Sequence, residues 1–186
     1  MTSIIKADNI STVSGSGNIT IPTGVKVVGT DAGSIAAPGT VVNVTNAPYN
    51  AYNGFSPSTS YVNTATLGTV TTRLANSKIM IITDVPIQTQ TINCIWSVAL
   101  RSSIDNYASN LVQKHFVRYS SSGHETGYTG MTFLHSANQS AGTAITYRYY
   151  VKGSVTTSGT GWYCTDQWGV AVTGYQFDTN MLEIAQ

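Results

Sequence analysis

The sequence predicts an all-β protein: an antiparallel β-sandwich, jelly-roll-like, with an extended N-terminal arm. Two observations lead to this fold class. Only 9% of the 186 residues are charged, while threonine occurs 27 times and serine 20 times, and a typical soluble domain has about 25% charged residues. Threonine, valine, isoleucine and tyrosine fit the half-buried surface of a sheet, and short segments of them alternate with loops of glycine, serine and asparagine.

The first forty residues differ from the rest and form a predicted attachment arm, residues 1 to 40, ahead of a sandwich domain, residues 41 to 186. No aromatic residue precedes Tyr49, so the arm has little large apolar surface to offset the entropy of ordering. It still contains short strand-like pieces, and we expect it to order against a neighbouring subunit or a larger assembly. The residues predicted to make that attachment are Ile4, Ile5, Ile10, Ile19, Ile21, Val25, Val27, Val28 and Ile35.

Ten strands are predicted in the sandwich domain. They lie near residues 41 to 46, 65 to 74, 77 to 84, 91 to 102, 113 to 119, 129 to 135, 143 to 152, 160 to 165, 169 to 174 and 179 to 185. Only the piece from Asp105 to Gln113 tolerates a helix, where Ser103 or Asp105 would cap a single turn. Many short strands without crossover helices indicate a sandwich rather than an α/β fold.

Two of these strands alternate clearly enough to be oriented. The strand near 91 to 102 places Ile92, Cys94, Trp96, Val98 and Leu100 on one face, which we expect to be buried, and Asn93, Ser97 and Arg101 on the other. The strand near 143 to 152 places Ile145, Tyr147, Tyr149 and Val151 inward and Thr146, Arg148 and Lys152 outward. Both belong to half-buried antiparallel sheets.

Charge and hydropathy exclude several partners. Nine basic and eight acidic residues are scattered singly and leave a net charge of +1, which predicts no nucleic-acid partner. The longest apolar run, Ile79 to Ile82, is too short to span a bilayer, and residues 1 to 6 do not resemble a secretion signal. We therefore expect a protein made in the cytoplasm, without membrane insertion.

No catalytic residue, metal site or cofactor is predicted. Cys94 and Cys164 make no disulfide framework and no zinc motif. His124 and Glu125 share a polar loop and are interpreted as a solvated tip, while His115 and His135 lie in or beside strands and are expected to be hydrogen-bonded structure. Glycoside cleavage needs two facing carboxylates. The acids at predicted strand ends that would have to converge for it are Asp105, Asp166 and Asp178.

Aromatic residues cluster near the end of the chain and offer one candidate binding surface. Sugar rings stack on exposed tryptophan and tyrosine faces, so a glycan-binding face is chemically feasible there. The alternative is that these residues form core or a subunit interface. The candidate glycan-binding residues are Trp162, Tyr163, Trp168 and Tyr175.

Several phrases of the chain resemble small virion structural proteins of tailed, particularly marine, bacteriophages: their tail fibre, collar and capsid decoration (cement) proteins. The lead-in is GNITIPTG at 17 to 24, followed by VGTDAGSI at 28 to 35. The body adds SKIMI at 77 to 81 and LHS at 134 to 136 running into AITY at 144 to 147, and the chain closes with MLEIA at 181 to 185. Their order along the chain carries the resemblance.

The resemblance implies an N-terminal attachment arm, a C-terminal β-sandwich and assembly as a homotrimer, and it transfers no catalytic residue. The sequence-based hypothesis is therefore a non-enzymatic virion protein, made in the host cytoplasm, whose partners are copies of itself and other virion proteins. The alternative is a receptor-binding module for host attachment, which recognises surface glycans through the sandwich.

Overall fold

The computed structural model describes residues 38–49, 53–55, 58–89, 94–118, 125–154, 161–163 and 177–186. The strands in these ranges are β1 (Val41–Tyr49), β2 (Asn53–Phe55), β3 (Val62–Thr71), β4 (Lys78–Thr89), β5 (Cys94–Ser102), β6 (Val112–Arg118), β7 (Glu125–Ser136), β8 (Ala144–Gly153), β9 (Gly161–Tyr163) and β10 (Phe177–Ile184). A single 3₁₀ turn among the described residues, Ser103–Asp105, follows β5. The predicted all-β class is confirmed.

The eight longest strands pair like one long hairpin that is folded over on itself. β1 pairs with β10, β3 with β8, β4 with β7 and β5 with β6, and all four pairs are antiparallel. Two further antiparallel pairings, β10 with β4 and β8 with β5, join the hairpins into sheets. The orders β1-β10-β4-β7 and β3-β8-β5-β6 follow, and this nesting is the topology of a jelly roll. The predicted jelly-roll-like sandwich is thus confirmed.

The larger sheet also contains β2 and β9, which extend it beyond β4. On one side β4 pairs with β7 along its whole length, and on the other it pairs with β10 from Lys78 to Thr83 and with β9 from Ile87 to Thr89. Pro86 falls between the β10 and β9 pairings, where a strand tolerates the missing N–H of proline. The strand therefore continues beyond residue 84, where the sequence-based prediction ends it.

The core lies between the two sheets and is formed by the inward faces that alternation predicts. Trp96, Val98 and Leu100 of β5 are completely buried, and so are Ile145, Tyr147 and Tyr149 of β8. The larger sheet contributes Ile79, Ile81, Met131 and Met181. A slip of one residue in either sheet would turn these side chains to solvent, so their burial fixes the register.

Arg101 and Ser97 of β5 both lie on the outward face, as predicted, but Arg101 is half-buried and Ser97 is only 4% exposed. The reason is that the segment before β3 crosses the outer face of the smaller sheet. Gly153 N–H donates to the carbonyl of Ser58 at 2.7 Å, and the Tyr61 hydroxyl reaches Gln113 of β6. Thr59 of this segment lines the same cavity as Ser97, and His115 of β6 is hydrogen-bonded to the Ser97 hydroxyl at 2.7 Å.

Three local elements differ from the prediction. β2 was not predicted, because three residues that include a glycine carry no alternation. β3 ends at Thr71 because Thr72 leaves the strand and donates its hydroxyl hydrogen bond to the carbonyl of Ser140 at 2.7 Å. The turn after β5 is a 3₁₀ turn that ends at Asp105 rather than a helix that starts there, and its N-cap, Ser102, makes no side-chain cap hydrogen bond.

The strand predicted at 169 to 174 and residues 1–37 of the predicted arm, with all nine attachment residues, lie outside the described residues. Residues 38–40 lead directly into β1. Gly39 N–H donates to the carbonyl of Ala185, and Ala185 N–H donates to the carbonyl of Thr40, both at 2.9 Å. Residues 38–40 therefore enter the sandwich beside the C-terminal end of β10.

Candidate functional site

The outer face of the smaller sheet brings together basic and aromatic side chains from distant parts of the sequence. Along β8, Arg148, Tyr150 and Lys152 alternate with buried residues and point outward. The register with β5 places Arg101 directly opposite Arg148, and Ala99 opposite Tyr150. We call this surface the cation–tyrosine face, and its members are Tyr61, Arg101, Tyr107, Arg148, Tyr150 and Lys152.

Arginine and tyrosine side chains stack on one another across this face. The guanidinium carbon of Arg101 lies 4.8 Å from the ring centre of Tyr61 and 4.5 Å from that of Tyr150. The guanidinium carbon of Arg148 lies 4.2 Å from the ring centre of Tyr107, and the rings of Tyr107 and Tyr150 are 6.2 Å apart. Such contacts contribute about 0.5–1 kcal/mol each at exposed sites. They hold the arginines in place without neutralising them.

Amide side chains fix the same groups from the β6 side. The Tyr61 hydroxyl and the Asn110 side-chain amide both donate to Gln113 Oε1, at 2.8 and 2.9 Å. Arg101 donates from Nε to Asn110 Oδ1 at 2.7 Å and from a terminal nitrogen to the carbonyl of Tyr107 at 2.9 Å. The cation–tyrosine face is consequently preorganised rather than a set of free side chains.

A cavity of about 300 Å³ adjoins this face at Lys152, near the lower end of the size range for small-ligand sites. The Lys152 ammonium also lies 4.7 Å from the ring centre of Tyr61, and His115 Nδ1 is hydrogen-bonded to the Ser97 hydroxyl at 2.7 Å. The residues around the cavity therefore combine an ammonium, an imidazole and hydroxyls with the apolar side chain of Ile95. Its lining residues are Thr59, Ile95, Ser97, His115, Lys152, Gly153 and Ser154.

The positive charge of the cation–tyrosine face is not compensated within the described part of the chain. The contacts of Arg101, Arg148 and Lys152 there are to amide groups, a carbonyl and tyrosine rings, with no carboxylate among them. Arg148 Nε is buried and has no hydrogen-bond partner among the described residues. Like charges directly opposite each other on neighbouring strands are unfavourable, so the opposed pair Arg101 and Arg148 has a cost that an anion would relieve.

The outer face of the larger sheet has the opposite character. One cross-strand row runs through Val44, Leu182, Met80 and Leu134 of four successive strands. Val44 is 62% exposed and Leu134 is 47% exposed, and Ile82 beside them is 39% exposed. We call Val44, Leu182, Met80 and Leu134 the apolar row.

The candidate glycan-binding residues of the sequence analysis fall mostly outside the described part of the chain. Trp168 and Tyr175 are not described. Trp162 and Tyr163 belong to β9, where their backbones pair with Gln88 and Ile87 of β4, but their side chains are not described. The basic and aromatic surface that the structure does describe is made of other residues.

Two of the three acids that would have to converge for glycoside cleavage lie apart. Asp105 follows β5, at the end of the sandwich where β8 begins, whereas Asp178 pairs with Pro48 near the opposite end of β1. Asp166 lies outside the described residues. Among those that are described, no group of three or more His, Cys, Asp or Glu side chains is suited to a metal ion.

His115 and His135 are hydrogen-bonded structural residues, as predicted. His124 is not described, and Glu125 starts β7, where its backbone pairs with Thr89, so Glu125 belongs to a strand rather than to a loop tip. Cys94 belongs to β5 without a described side chain, and Cys164 lies outside the described residues. Within the described ranges, no helix has the length and hydropathy needed to cross a membrane.

Sequence reasoning missed Tyr61 and Tyr107 of the cation–tyrosine face. Tyr61 precedes a strand, and Tyr107 lies in a turn where its φ of 61° is unusual for a residue other than glycine. Neither position belongs to an alternating pattern. The pairing of β5 with β8, which opposes Arg101 and Arg148, is not encoded in either strand alone.

Comparison with known proteins gives structural similarity only. No protein-family model matches the chain, and no curated protein matches it. The chain is similar to the structure of infectious bursal disease virus strain Gt, with a TM-score of 0.41 and 10% identity over 86% of this chain and 45% of that one. For strain Gx the TM-score is 0.40, with 12% identity over 86% of this chain and 44% of that one. For the crystal structure of the VP2 subviral particle of this virus the TM-score is 0.38, with 10% identity over 87% of this chain and 42% of that one. This chain spans less than half the length of each.

Proposed function

We propose that this chain is a structural protein of a virus particle and that copies of it associate through the outer face of the larger sheet. The observation that carries the proposal is the apolar row, which crosses four strands with Val44 62% and Leu134 47% exposed. Contiguous apolar surface of this kind on a soluble protein marks a contact with another protein, because burying it removes an unfavourable interface with water.

A second copy of the chain is the occupant that we propose for this face. The neighbouring cross-strand pair, Asn46 with Asn180, is neutral, and the two amides hydrogen-bond to each other at 3.0 Å. A net charge of +1 leaves little repulsion between like subunits. Self-association of identical subunits in a closed symmetry is the commonest form of assembly, and jelly rolls are frequent in viral capsid and lectin domains.

The sequence resemblance extends the proposal to a component of a tailed bacteriophage, a homotrimeric fibre or decoration protein that attaches to the particle through residues 1–40. The role is non-enzymatic and needs no cofactor. On this proposal the partners are copies of the chain and other virion proteins, and the protein is located in the virion.

The oligomeric state of the full chain tests the assembly. Light scattering at micromolar concentration should give three times the 19.8 kDa of one chain. Leu134→Lys places a charge at the β7 end of the apolar row and should shift the mass towards that of the monomer. The matched control is Ile104→Lys, at a position 39% exposed in the 3₁₀ turn, which should leave the mass unchanged.

A wild-type monomer, or a Leu134→Lys variant with the wild-type mass, would contradict the proposed contact. Circular dichroism of both variants verifies that the β-sandwich is intact. The virion location has its own test: mass spectrometry of purified particles of the virus that encodes this chain should detect it in many copies, and particles that lack it would refute the role.

A further inference from the structure

We infer that the cation–tyrosine face and the adjoining cavity bind an acidic saccharide, that is, a sugar chain that carries carboxylate or sulfate groups. This is a binding activity in addition to the proposed assembly role. It lies on the other sheet from the apolar row and does not depend on it. The residues that form it also differ from the candidate glycan-binding residues Trp162, Tyr163, Trp168 and Tyr175 of the sequence analysis.

The requirement for an anion comes from the arginines. Arg101 and Arg148 oppose each other across β5 and β8, and the described residues place no carboxylate on either of them. Stacking on Tyr107 and Tyr150 orients both guanidinium groups but leaves their charge in place. A guanidinium binds carboxylate and sulfate-like oxyanions through strong, charge-assisted hydrogen bonds, so an anionic group here would remove the like-charge cost.

The requirement for a sugar comes from the surroundings of those charges. The cavity beside Lys152 is lined by the hydroxyl-bearing residues Thr59, Ser97 and Ser154, by His115 and by the apolar side chain of Ile95. Gln113 and Asn110 add amides nearby. Such groups exchange hydrogen bonds with hydroxyl-rich ligands, while tyrosine rings offer an apolar surface with a polar tip. A ligand that combines many hydroxyls with a few negative charges matches this set.

The dimensions of the surface favour a short oligosaccharide over a nucleic acid. Arg148 and Lys152 are four residues apart on one strand, which corresponds to roughly 13 Å. Nucleic-acid affinity depends on many phosphate contacts along a basic track, and the cation–tyrosine face has only three basic side chains. The rest of the face is neutral.

The test is isothermal titration calorimetry of the full chain at low salt with four probes of similar length. The probes are a sulfated heparin tetrasaccharide, a carboxylated tetragalacturonate, neutral maltotetraose and a single-stranded oligothymidylate. We expect saturable binding of at least one acidic saccharide, about tenfold or more tighter than maltotetraose. Binding of only the sulfated or only the carboxylated probe supports the inference and identifies the anionic group.

Two variants locate the site. Lys152→Gln and Arg148→Gln should each weaken binding of the acidic saccharide about fivefold or more, since each removes a charged partner. Lys78→Gln, which removes the same charge from β4 of the larger sheet, should leave binding unchanged. Lys152 makes only a ring contact with Tyr61 among the described residues, so its substitution preserves the fold even if Arg148→Gln does not.

Four results would overturn the inference: no saccharide binding up to millimolar concentration, equal affinity for maltotetraose, equal or tighter binding of oligothymidylate, or weakening by Lys78→Gln as large as that by Lys152→Gln. Light scattering on the same samples keeps this outcome separate from the assembly proposal. A trimer that binds no acidic saccharide refutes only the binding site, and a monomer that binds one refutes only the assembly.

Discussion

The Ser77 hydroxyl donates a hydrogen bond of 2.7 Å to Oε1 of Glu183, a completely buried carboxylate near the end of the chain. The backbone N–H of Arg73 donates to both oxygens of this carboxylate at 2.8 Å, and that of Leu74 donates to Oε1 at 2.9 Å. Glu183 belongs to β10 of the larger sheet, and its donors form the turn that leads from β3 of the smaller sheet to β4. One side chain thus fixes the connection between the two sheets.

Replacing Glu183 should destabilise the sandwich strongly. Glu183→Gln keeps the shape but turns an N–H₂ group towards backbone donors, so we expect the free energy of unfolding to fall by about 2 kcal/mol, and by about 3 kcal/mol for Glu183→Ala. Urea unfolding followed by tryptophan fluorescence measures both. Ser77→Ala is the graded control, because it removes one donor of the carboxylate and should cost about 1 kcal/mol. Equal stability of Glu183→Gln and wild type would show that the carboxylate is not what holds the turn.

Two buried tyrosines on β8 form a natural pair for measuring one inter-sheet hydrogen bond. The Tyr147 hydroxyl is hydrogen-bonded to His135 Nδ1 of β7 at 2.9 Å, and the two rings meet edge to face. The Tyr149 hydroxyl lies near Thr83 but makes no hydrogen bond of good geometry among the described residues. Burial raises the pKa of both hydroxyls, so both stay protonated at neutral pH.

Tyr147→Phe should therefore lower the free energy of unfolding by about 1 kcal/mol, since it leaves His135 without its partner. Tyr149→Phe removes an oxygen with no such partner and should change stability by less than about 0.5 kcal/mol. Chemical denaturation of both variants under one set of conditions gives the comparison. The reverse order of the two effects would show that the hydroxyl near Thr83 is the one that stabilises the sandwich.

His135 should make stability depend on pH in a defined direction. Burial lowers the pKa of His135 below its ordinary value, and the negative charge of Asp105 partly opposes this shift. The unfolded chain then takes up a proton at higher pH than the folded one. The contribution of His135 to stability is therefore fully present above the pKa of about 6.5 that histidine has in the unfolded chain. It decreases as the pH falls towards the lower pKa of His135 in the folded protein.

We expect the free energy of unfolding to fall between about pH 7.5 and pH 5.5, and to fall less in His135→Gln. Denaturant titrations at the two pH values, on both proteins, measure this difference. The comparison with the variant separates His135 from the other titrating groups. An equally steep decrease in His135→Gln would assign the pH dependence to those groups instead.

Inner faces of single strands were predictable from sequence because burial follows a local period of two. Trp96 and Leu100 on β5 and Tyr147 on β8 are buried where alternation places them. Ser97 shows the limit of that reasoning. It faces outward as expected and is nonetheless covered, because the segment before Tyr61 crosses over it.

The candidate site depends on contacts that no local pattern encodes. Tyr61 reaches Gln113 across 52 residues of sequence, and Glu183 receives the Ser77 hydrogen bond across 106. A glutamate near the end of a strand and a tyrosine before a strand look ordinary in sequence. Only the nested pairing of the jelly roll shows what each of them faces.

Gly68 of β3 lies very close to β1 and β10 of the larger sheet. Its φ is +149°, and a Cβ atom at this position would lie 2.6 Å from Cβ of Ala47 on β1 and 2.8 Å from Cε of Met181 on β10. Both distances are shorter than real contacts allow. The absence of a side chain at Gly68 thus lets β3 approach the larger sheet at the bulge after Thr66.

Gly68→Ala should lower the free energy of unfolding by about 3 kcal/mol, the sum of backbone strain and overpacking. Gly142→Ala is the matched control: its φ is +83° but nothing lies within 4 Å of the added Cβ, so only the backbone cost of about 1 kcal/mol is expected. Adding Ala47→Gly to Gly68→Ala removes the closest atom and should restore part of the loss, a coupling that a double-mutant cycle measures. If both glycine variants are equally destabilised, the approach of β3 to β1 does not constrain this position.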